Sequence, residues 1–466
     1  MDGRSRRLRT AAVVAGALLA LSIGLSLSYW PGVMTWDSIR QYDQALSGRF
    51  DDWHPPLMNW FWRQLLPLAR GPGPMLVLQL AVYAAGYGLL SAWALKARRP
   101  RLAVAFAAAS LTPVAVALMA TIVKDSLMAA LLLAATGLLA WNRERWGWPL
   151  ALLAAALVAL ACALRFNGFL AGAPLLVALA PERLRGTPLR TAATGLAAVA
   201  LLLLPLPIAN HVLKAEPSGV GLSLEIYDLG GITAHTGRDA FPPLPEKDPV
   251  AVNRICYTPV RWDPYADWGD DACTIGFDAL QPVFQARRIS PTLLWARTIL
   301  AHPIAYAEHR LQHFNLNTRF LVKGEVDRPV HDRSEDNPWS FQVTPNPLLN
   351  AVDSLAVAGE ATPLNWPIFW IAVALGVAIL APRLPSRALV LPLALSALLY
   401  GLGYAAVSVA SELRYHLWTM IAALLAACVT AADLPKANLK RGDVAIAALP
   451  AALVVTLGAL WRLWPG

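Results

Sequence analysis

Eleven apolar segments recur along this chain, and they limit what it can fold into more strongly than any other feature of the sequence. A helix that crosses a bilayer needs roughly 17–25 mostly apolar residues, and segments of this length or somewhat shorter alternate with polar loops. They lie at about residues 11–29, 74–94, 102–121, 126–141, 148–163, 168–180, 191–210, 367–381, 388–409, 416–432 and 443–461. The pattern predicts an all-α polytopic membrane protein with about 11 transmembrane helices.

The composition agrees with this interpretation. Hydrophobic residues make up 57% of the chain and charged residues only 15%, whereas soluble proteins are about 45–50% apolar and about 25% charged. This balance excludes a soluble enzyme, a disordered chain and a nucleic-acid-binding domain. The net charge of +9 would suggest nucleic acid by itself, but its distribution along the chain does not.

Lysine and arginine set the predicted orientation, because the short cytoplasmic loops of membrane proteins are enriched in them. Eighteen of the 39 basic residues fall at the N-terminus or in alternate short loops. These residues are Arg4, Arg6, Arg7, Arg9, Lys96, Arg98, Arg99, Arg101, Arg143, Arg145, Arg183, Arg185, Arg190, Arg383, Arg387, Lys436, Lys440 and Arg441. The N-terminus is therefore predicted to be cytoplasmic and the C-terminus exterior.

Two segments on the predicted exterior side are long. A first outer loop covers about 30–73, and a polar segment covers 211–362 with a local charge of −6. A segment of the latter size is expected to fold as a domain. The predicted organisation is an N-terminal membrane module of about seven spans (1–210), a mainly helical and irregular exterior domain (211–362) and a C-terminal membrane module of about four spans (363–466).

The first span also resembles a signal peptide, since a basic region precedes its apolar stretch. No convincing small-residue cleavage site precedes Tyr29, so an uncleaved anchor is predicted. The expected location is the inner (plasma) membrane of a bacterium, with the polar site on the periplasmic face.

The predicted exterior domain contains two cysteines and a helical region. Cys256 and Cys273 could form a disulfide in an oxidising compartment or remain free thiols. Apolar residues recur at helical spacing over 291–315, and Pro303 is expected to divide that stretch into two helices. Residues 236–275 are rich in Pro, Asp and Gly and are predicted to be irregular.

Charged residues at the predicted outer ends of spans are the candidate functional residues, because ionisable groups near a bilayer core are costly and usually functional. Asp37 follows the first span, and a helix is expected from Ser38 to about Leu46. Asp52 and His54 come next, before a rigid Pro-Pro pair. The alternatives are that Asp37 is only a helix cap and that Asp51 and Asp52 lie in a solvated turn.

Three later outer ends carry similar charged or polar groups between apolar segments. These groups are Lys124 with Asp125, Arg165 with Asn167, and Glu412 with Arg414 and Tyr415. Lys124 and Asp125 could simply pair with each other, whereas an arginine fork suits a phosphate anion. Together the four outer ends predict a polar cavity with acidic and basic groups at one membrane face.

Such a mixture of charges suits the transfer of a sugar from a lipid phosphate. Cations hold the phosphate leaving group and offset its charge in the transition state, and a carboxylate deprotonates the acceptor hydroxyl as general base. The expected partners are a polyprenyl-phosphate-linked sugar donor, a glycan, lipid or protein acceptor and membrane lipid, without nucleic acid.

The arrangement resembles the GT-C superfamily of polytopic glycosyltransferases, and within it the protein O-mannosyltransferase and aminoarabinose transferase group. Members share an acidic residue in the first outer loop and a following Pro-Pro-Leu element, which match Asp37 and the stretch 54–57. The group often has Lys where this chain has His54, and its Asp-Glu pair is replaced here by Asp37 and Ser38.

The resemblance implies an inverting transfer with Asp37 as the base. It also implies that the polar residues at the outer ends contact the substrates, namely His54, Lys124, Asp125, Arg165, Asn167, Glu412, Arg414 and Tyr415. Some members of the superfamily use a divalent metal ion, for which Asp37 and Asp52 are the candidate ligands here.

Other functions remain open from the sequence. A transporter or flippase of a lipid-linked glycan, a GT-C-type glycan ligase and a structural partner in envelope assembly all fit many spans with buried charges. Two further patterns are interpreted as structural. His309 and His313 have the spacing of zinc ligands but are predicted to lie on a surface helix. Glu225 and Asp228, just past the seventh span, are assigned a structural role, and the alternative is that they approach the site.

Overall fold

The computed structural model describes residues 3–142, 147–244, 248–266, 268–269, 272–324 and 326–464. Arg143 and Arg145 of the predicted basic loops lie outside these ranges. Helices account for 72% of the protein, and the described residues contain no β-strand. The chain folds into two compact units. Unit 1 comprises Met1–Glu216, Arg328–Gly401 and Leu413–Thr456, and unit 2 comprises Pro217–Asp327, Leu402–Glu412 and Leu457–Gly466.

The helices of the first part of the chain belong to unit 1. They are α1 (Gly3–Ser28), α2 (Trp36–Ser47), α3 (Leu57–Leu65), α4 (Gly73–Lys96), α5 (Pro100–Ala109), α6 (Pro113–Ala120), α7 (Lys124–Asn142), α8 (Trp148–Cys162), α9 (Gly168–Leu179), α10 (Pro188–Leu202) and α11 (Pro205–Val212). The helix expected after Asp37 is confirmed as α2. Among the long apolar helices, α7 is the most enclosed, because 94% of its apolar core segment is buried. It packs against α4 and α8.

The remaining helices follow in chain order. They are α12 (Gly221–Thr236), α13 (Pro249–Cys256), α14 (Phe277–Ala286), α15 (Pro291–Ala301), α16 (Pro303–Asn317), α17 (Pro347–Ala358), α18 (Pro367–Leu380), α19 (Arg387–Val407), α20 (Leu417–Asp433) and α21 (Arg441–Leu463). Short 3-10 helices lie at Glu182–Leu184, Asp263–Tyr265, Gly359–Ala361, Pro363–Asn365, Ala381–Arg383, Leu413–His416 and Leu434–Lys436.

Within the described ranges, six helices are long and apolar enough to cross a membrane. They are Gly73–Lys96, Lys124–Asn142, Pro188–Val212, Arg387–Val407, Leu413–Lys436 and Arg441–Leu463. Helices α5 and α6 together are also long and apolar enough, and they are bent by 53° at the break between them. Shorter apolar helices occupy Val13–Ser28, Trp148–Cys162, Gly168–Leu179 and Pro367–Arg383. The protein is therefore a helical, membrane-embedded one, and each of the eleven predicted segments contains an apolar helix.

Many of these helices begin at a proline. The N–H groups of the first turn have no partner within the helix, so the missing N–H of proline costs no hydrogen bond there. Pro303 illustrates the effect, since α15 ends at Ala301 and α16 starts at Pro303 as predicted. The irregular region predicted at 236–275 is less irregular than expected, because Pro249 starts the helix α13 within it. Helix α13 ends at Cys256, which forms a disulfide with Cys273 in unit 2.

Candidate active site

The starts of α2 and α7 are fastened together by hydrogen bonds that place two charged residues side by side. Ser38 donates a hydrogen bond from its hydroxyl to the carbonyl of Ile122, and the Ile122 amide donates to the carbonyl of Val33 at 2.9 Å. Asp37 lies in the first turn of α2, where the positive end of the helix dipole favours a carboxylate. Lys124 is the first residue of α7.

Two other segments of unit 1 bring His54 and Arg414 to the same place. His54 lies in the turn before α3, and this turn is held by a 3.1 Å hydrogen bond from the Asp52 amide to the carbonyl of Glu216. Arg414 belongs to the 3-10 helix that immediately precedes α20. Four chain segments thus each contribute one side chain, and two of them are far from the first outer loop in sequence.

These four residues, Asp37, His54, Lys124 and Arg414, form the Asp37 cluster. Asp37 Oδ2 lies 2.9 Å from Lys124 Nζ and 3.1 Å from Arg414 Nη1. His54 bridges the pair, because its Nε2 is 3.6 Å from Asp37 Oδ1 and its Nδ1 is 3.0 Å from Lys124 Nζ. This geometry fits a neutral imidazole that accepts a hydrogen bond from the ammonium group at Nδ1 and presents its Nε2 hydrogen to the carboxylate.

The carboxylate is the most accessible side chain of the Asp37 cluster. Its exposed fraction is 21%, compared with 6% for Lys124 and 7% for Arg414. The cations are therefore largely removed from bulk water, where their charges act more strongly than at a surface. The carboxylate is thus the group of the cluster that a substrate can reach most easily, and two buried positive charges contact it.

The charges of the cluster decide its protonation. Burial alone would raise the pKa of Asp37, but Arg414 and Lys124 outweigh burial and hold that pKa well below its usual value. Burial lowers the pKa of His54 to about 3, and the neighbouring Lys124 ammonium acts in the same direction. At neutral pH Asp37 is thus ionised and His54 is neutral.

A second ion pair lies next to the Asp37 cluster. Arg165 Nη1 is 3.2 Å from Asp125 Oδ1, and the Arg165 guanidinium stacks over the ring of Tyr415 at 4.5 Å. Arg414 approaches the same ring at 5.7 Å, so Tyr415 links the two arginines. Lys124 and Asp125 do not simply neutralise each other, because each pairs with a residue from another segment.

The other predicted site residues are placed differently. Asn167 is buried at the position that precedes α9. Glu412 belongs to unit 2, where its charge adds to burial in raising the pKa of Asp263. In the part of the chain that the structure describes, no group of three or more His, Cys, Asp or Glu side chains could hold a metal ion. Asp37 and Asp52 are thus not joined there by a third ligand of these types.

The neutral state of His54 has a consequence for stability. Between pH 6.5 and about 3, the unfolded chain binds a proton at His54 that the folded protein excludes, so stability falls as the pH is lowered through this window. The free energy of unfolding changes by at most about 1.4 kcal/mol per pH unit for one group. We expect the His54→Gln variant to lose less stability than the wild type when thermal unfolding is measured from pH 6.5 down to 4. Equal losses of stability in the two proteins over this pH range would contradict a neutral, buried His54.

Unit 2 contains a buried polar group that sequence reasoning missed, the Asp228 network of Asp228, Trp295, His309 and Arg310. Asp228 Oδ1 lies 3.1 Å from His309 Nε2 and also pairs with Arg310 Nη2, and Asp228 Oδ2 accepts a 2.7 Å hydrogen bond from Trp295 Nε1. His309 Nδ1 is 3.0 Å from the hydroxyl of Tyr257. The charge of Arg310 outweighs burial and lowers the pKa of Asp228.

The surface-helix interpretation of His309 and His313 is wrong, because both side chains are fully buried. His313 Nδ1 donates to the carbonyl of Pro259 at 2.7 Å, and burial lowers its pKa to about 3. The two histidines lie on one face of α16 because they are four residues apart, and α16 packs against α12, which carries Asp228. The structural role predicted for Asp228 agrees with these contacts.

No known protein family, curated protein or solved structure was found to match this chain.

Proposed function

We propose that this protein is a membrane glycosyltransferase of the GT-C type that moves a sugar from a polyprenyl phosphate to an acceptor hydroxyl, with inversion at the anomeric carbon. The observation that supports it best is the contact of one accessible carboxylate, Asp37, with two buried cations, Lys124 and Arg414. With Arg165 and Asp125 nearby, three cations face two carboxylates, which leaves one positive charge for an anionic substrate.

The chemistry assigned to the cluster is balanced. The bond between the anomeric carbon and the phosphate oxygen breaks, and the bond pair leaves with the polyprenyl phosphate. The acceptor oxygen forms the new bond to the anomeric carbon, and its proton passes to the Asp37 carboxylate. Lys124 and Arg414 stabilise the charge that develops on the leaving phosphate.

Donor binding would also activate the base. In the unliganded protein Arg414 and Lys124 keep the pKa of Asp37 low, which makes the carboxylate a weak base. A donor phosphate that pairs with these cations takes over part of their charge, so the pKa of Asp37 rises towards the range useful for proton abstraction. In this account the same two cations bind the donor and prepare Asp37 for the acceptor.

The proposal extends to topology. We infer about eleven spans, with the basic loops in the cytoplasm and the Asp37 cluster on the outer, periplasmic face of a bacterial inner membrane. Support comes from the apolar helix in each predicted segment and from the alternation of basic loops in the sequence. The acceptor is a glycan, a lipid or a protein.

A transfer assay tests the proposed function. The purified protein in detergent is incubated with polyprenyl-phosphate hexoses and pentoses and with a mixture of envelope glycans, lipids and peptides, and new glycosidic bonds are detected by mass spectrometry. We expect one donor to be consumed with release of polyprenyl phosphate. Consumption of none of these donors, by protein that is shown to be folded, would contradict the proposal.

Arg414 provides a more specific prediction. Arg414→Ala removes one charged partner of the donor phosphate, and a hydrogen bond between charged groups contributes roughly 1.5–3 kcal/mol. We expect the KM for the donor to rise about 10- to 100-fold. The control is Arg261→Ala, which removes an arginine that is paired with Asp327 on the exposed surface of unit 2. An unchanged donor KM in Arg414→Ala would exclude a phosphate contact at Arg414.

A further inference from the structure

An apolar groove in unit 1 lies at the opposite end of α9 from Arg165. It has a volume of about 570 Å³ and is walled by α9, α10 and α19, within the range of about 300–1,000 Å³ that is typical of ligand sites. Arg185 and Arg387 lie at one end of the groove, and Leu399 lies at the other. We call it the arginine-lined groove.

The sequence accounts for the opening between these helices. Pro174 and Pro392 lie inside α9 and α19 and line the groove, and a proline inside a helix removes a hydrogen bond and bends the helix. Gly195 of α10 faces open space, since a Cβ atom there would meet no atom within 4 Å. The space is thus created by three residues that each reduce helix packing.

The two arginines are available for an anion. The Arg185 side chain donates through Nε to the carbonyl of Ala180 at 2.9 Å. Neither guanidinium forms an ion pair with a carboxylate of the described residues. Both belong to the loops whose basic residues predict the cytoplasmic face, where anionic headgroups attract basic pockets between spans.

The helix that forms one wall of the groove is long, apolar and largely exposed, as expected of a helix that faces lipid. The helical segment Pro188–Val212, which includes α10, is strongly apolar, yet only 11% of its apolar core segment is buried within the protein. Leu189 and Leu196 are 80% and 74% exposed. A hydrocarbon chain is therefore the natural neighbour of this wall, and an occupant with a phosphate at one end and an apolar chain matches both parts of the groove.

We propose that the arginine-lined groove binds an anionic phospholipid, with its phosphate on Arg185 and Arg387 and an acyl chain along α9, α10 and α19. This site is separate from the Asp37 cluster and does not depend on the transfer chemistry. A structural or regulatory lipid on the inner leaflet would be retained by the protein during purification.

Native mass spectrometry of the full chain tests the proposal. The protein is extracted from nanodiscs that contain equal amounts of phosphatidylglycerol and phosphatidylcholine. We expect phosphatidylglycerol to be retained preferentially. In the double variant Arg185→Gln/Arg387→Gln we expect the ratio of retained phosphatidylglycerol to phosphatidylcholine to fall about tenfold, because a guanidinium recognises phosphate through paired charged hydrogen bonds. The matched control is Arg190→Gln, which changes an exposed arginine of α10 that does not line the groove.

A second variant tests the apolar part without changing charge. Gly195→Leu fills the groove from an open helix position and should reduce phosphatidylglycerol retention to a similar extent. Equal retention of the two phospholipids by the wild type would overturn the proposal, as would unchanged retention in the double variant or in Gly195→Leu. Displacement of phosphatidylglycerol by stoichiometric polyprenyl phosphate would also overturn it, since the groove would then hold the donor lipid.

Discussion

Asp37→Asn is expected to lower kcat for glycosyl transfer by about 10²- to 10⁴-fold, the range over which a general base contributes to a reaction. The amide keeps the shape of the carboxylate and an oxygen that can accept hydrogen bonds from Lys124 and Arg414. It cannot take the proton of the acceptor hydroxyl. The loss should therefore fall on kcat, and donor binding should be maintained or strengthened, because the two cations no longer have a competing carboxylate. Steady-state kinetics with the purified variant would measure both effects.

The matched control for this experiment is Asp43→Asn. Asp43 lies on the same helix, α2, but its side chain is exposed, so the substitution changes the same chemical group without touching the Asp37 cluster. We expect its kcat to remain within about twofold of the wild type, in line with the small effects of most surface changes. A folded Asp37→Asn variant with full activity would remove Asp37 as the base.

The second large effect is expected on stability. Asp228→Asn removes the negative charge from the centre of the Asp228 network and leaves the Arg310 guanidinium buried without its carboxylate. Breaking a buried pair in this way costs about 3–5 kcal/mol. The amide also has only one acceptor oxygen for the donors of His309, Arg310 and Trp295. We expect a clearly lower melting temperature in thermal unfolding of the purified protein.

Two comparisons make this result specific. Glu225→Gln alters a carboxyl group one turn away on α12, which is only partly buried and accepts a hydrogen bond from Thr292, and should cost about 1 kcal/mol or less. Asp228→Asn combined with Arg310→Met should be less destabilising than Asp228→Asn alone, because neither charge is then left unpaired. Equal losses in the single and double variants would show that the charge pair is not the source of the effect.

The positions of the apolar helices could be predicted because the thickness of a bilayer sets their length and every residue in lipid must be largely apolar. Helix α2 was also predictable from the polar residues that follow the first span. Its exact start at Trp36 depends on hydrogen bonds of Ser38 with the backbone of Thr35 and Ile122, and the latter contact lies far away in sequence.

The convergence of Asp37, Lys124 and Arg414 was expected because all three follow or precede a span at one predicted face. The pairing itself was not, since Lys124 and Asp125 are adjacent in sequence and their partners come from other segments. Glu412 belongs to unit 2, although only Leu413 lies between it and Arg414 in the sequence.

The Asp228 network was missed for a related reason. Asp228 is about 80 residues from His309 and Arg310, and each of them is ordinary on its own helix. The only signal was the recurrence of His309 and His313 at helical spacing, because buried histidines need polar partners. Asp228 and Tyr227 on α12 provide them.

Glycosyl transfer by the Asp37 cluster is tested most directly in proteoliposomes that contain a labelled polyprenyl-phosphate sugar. Formation of new glycosidic bonds and movement of the donor across the bilayer are measured in the same vesicles, and the anomeric configuration of the product is determined by NMR. We expect the wild type to form a glycoside of inverted configuration that Asp37→Asn does not produce. Movement of the lipid-linked sugar across the bilayer without any new glycosidic bond would contradict the account and would identify a transporter instead.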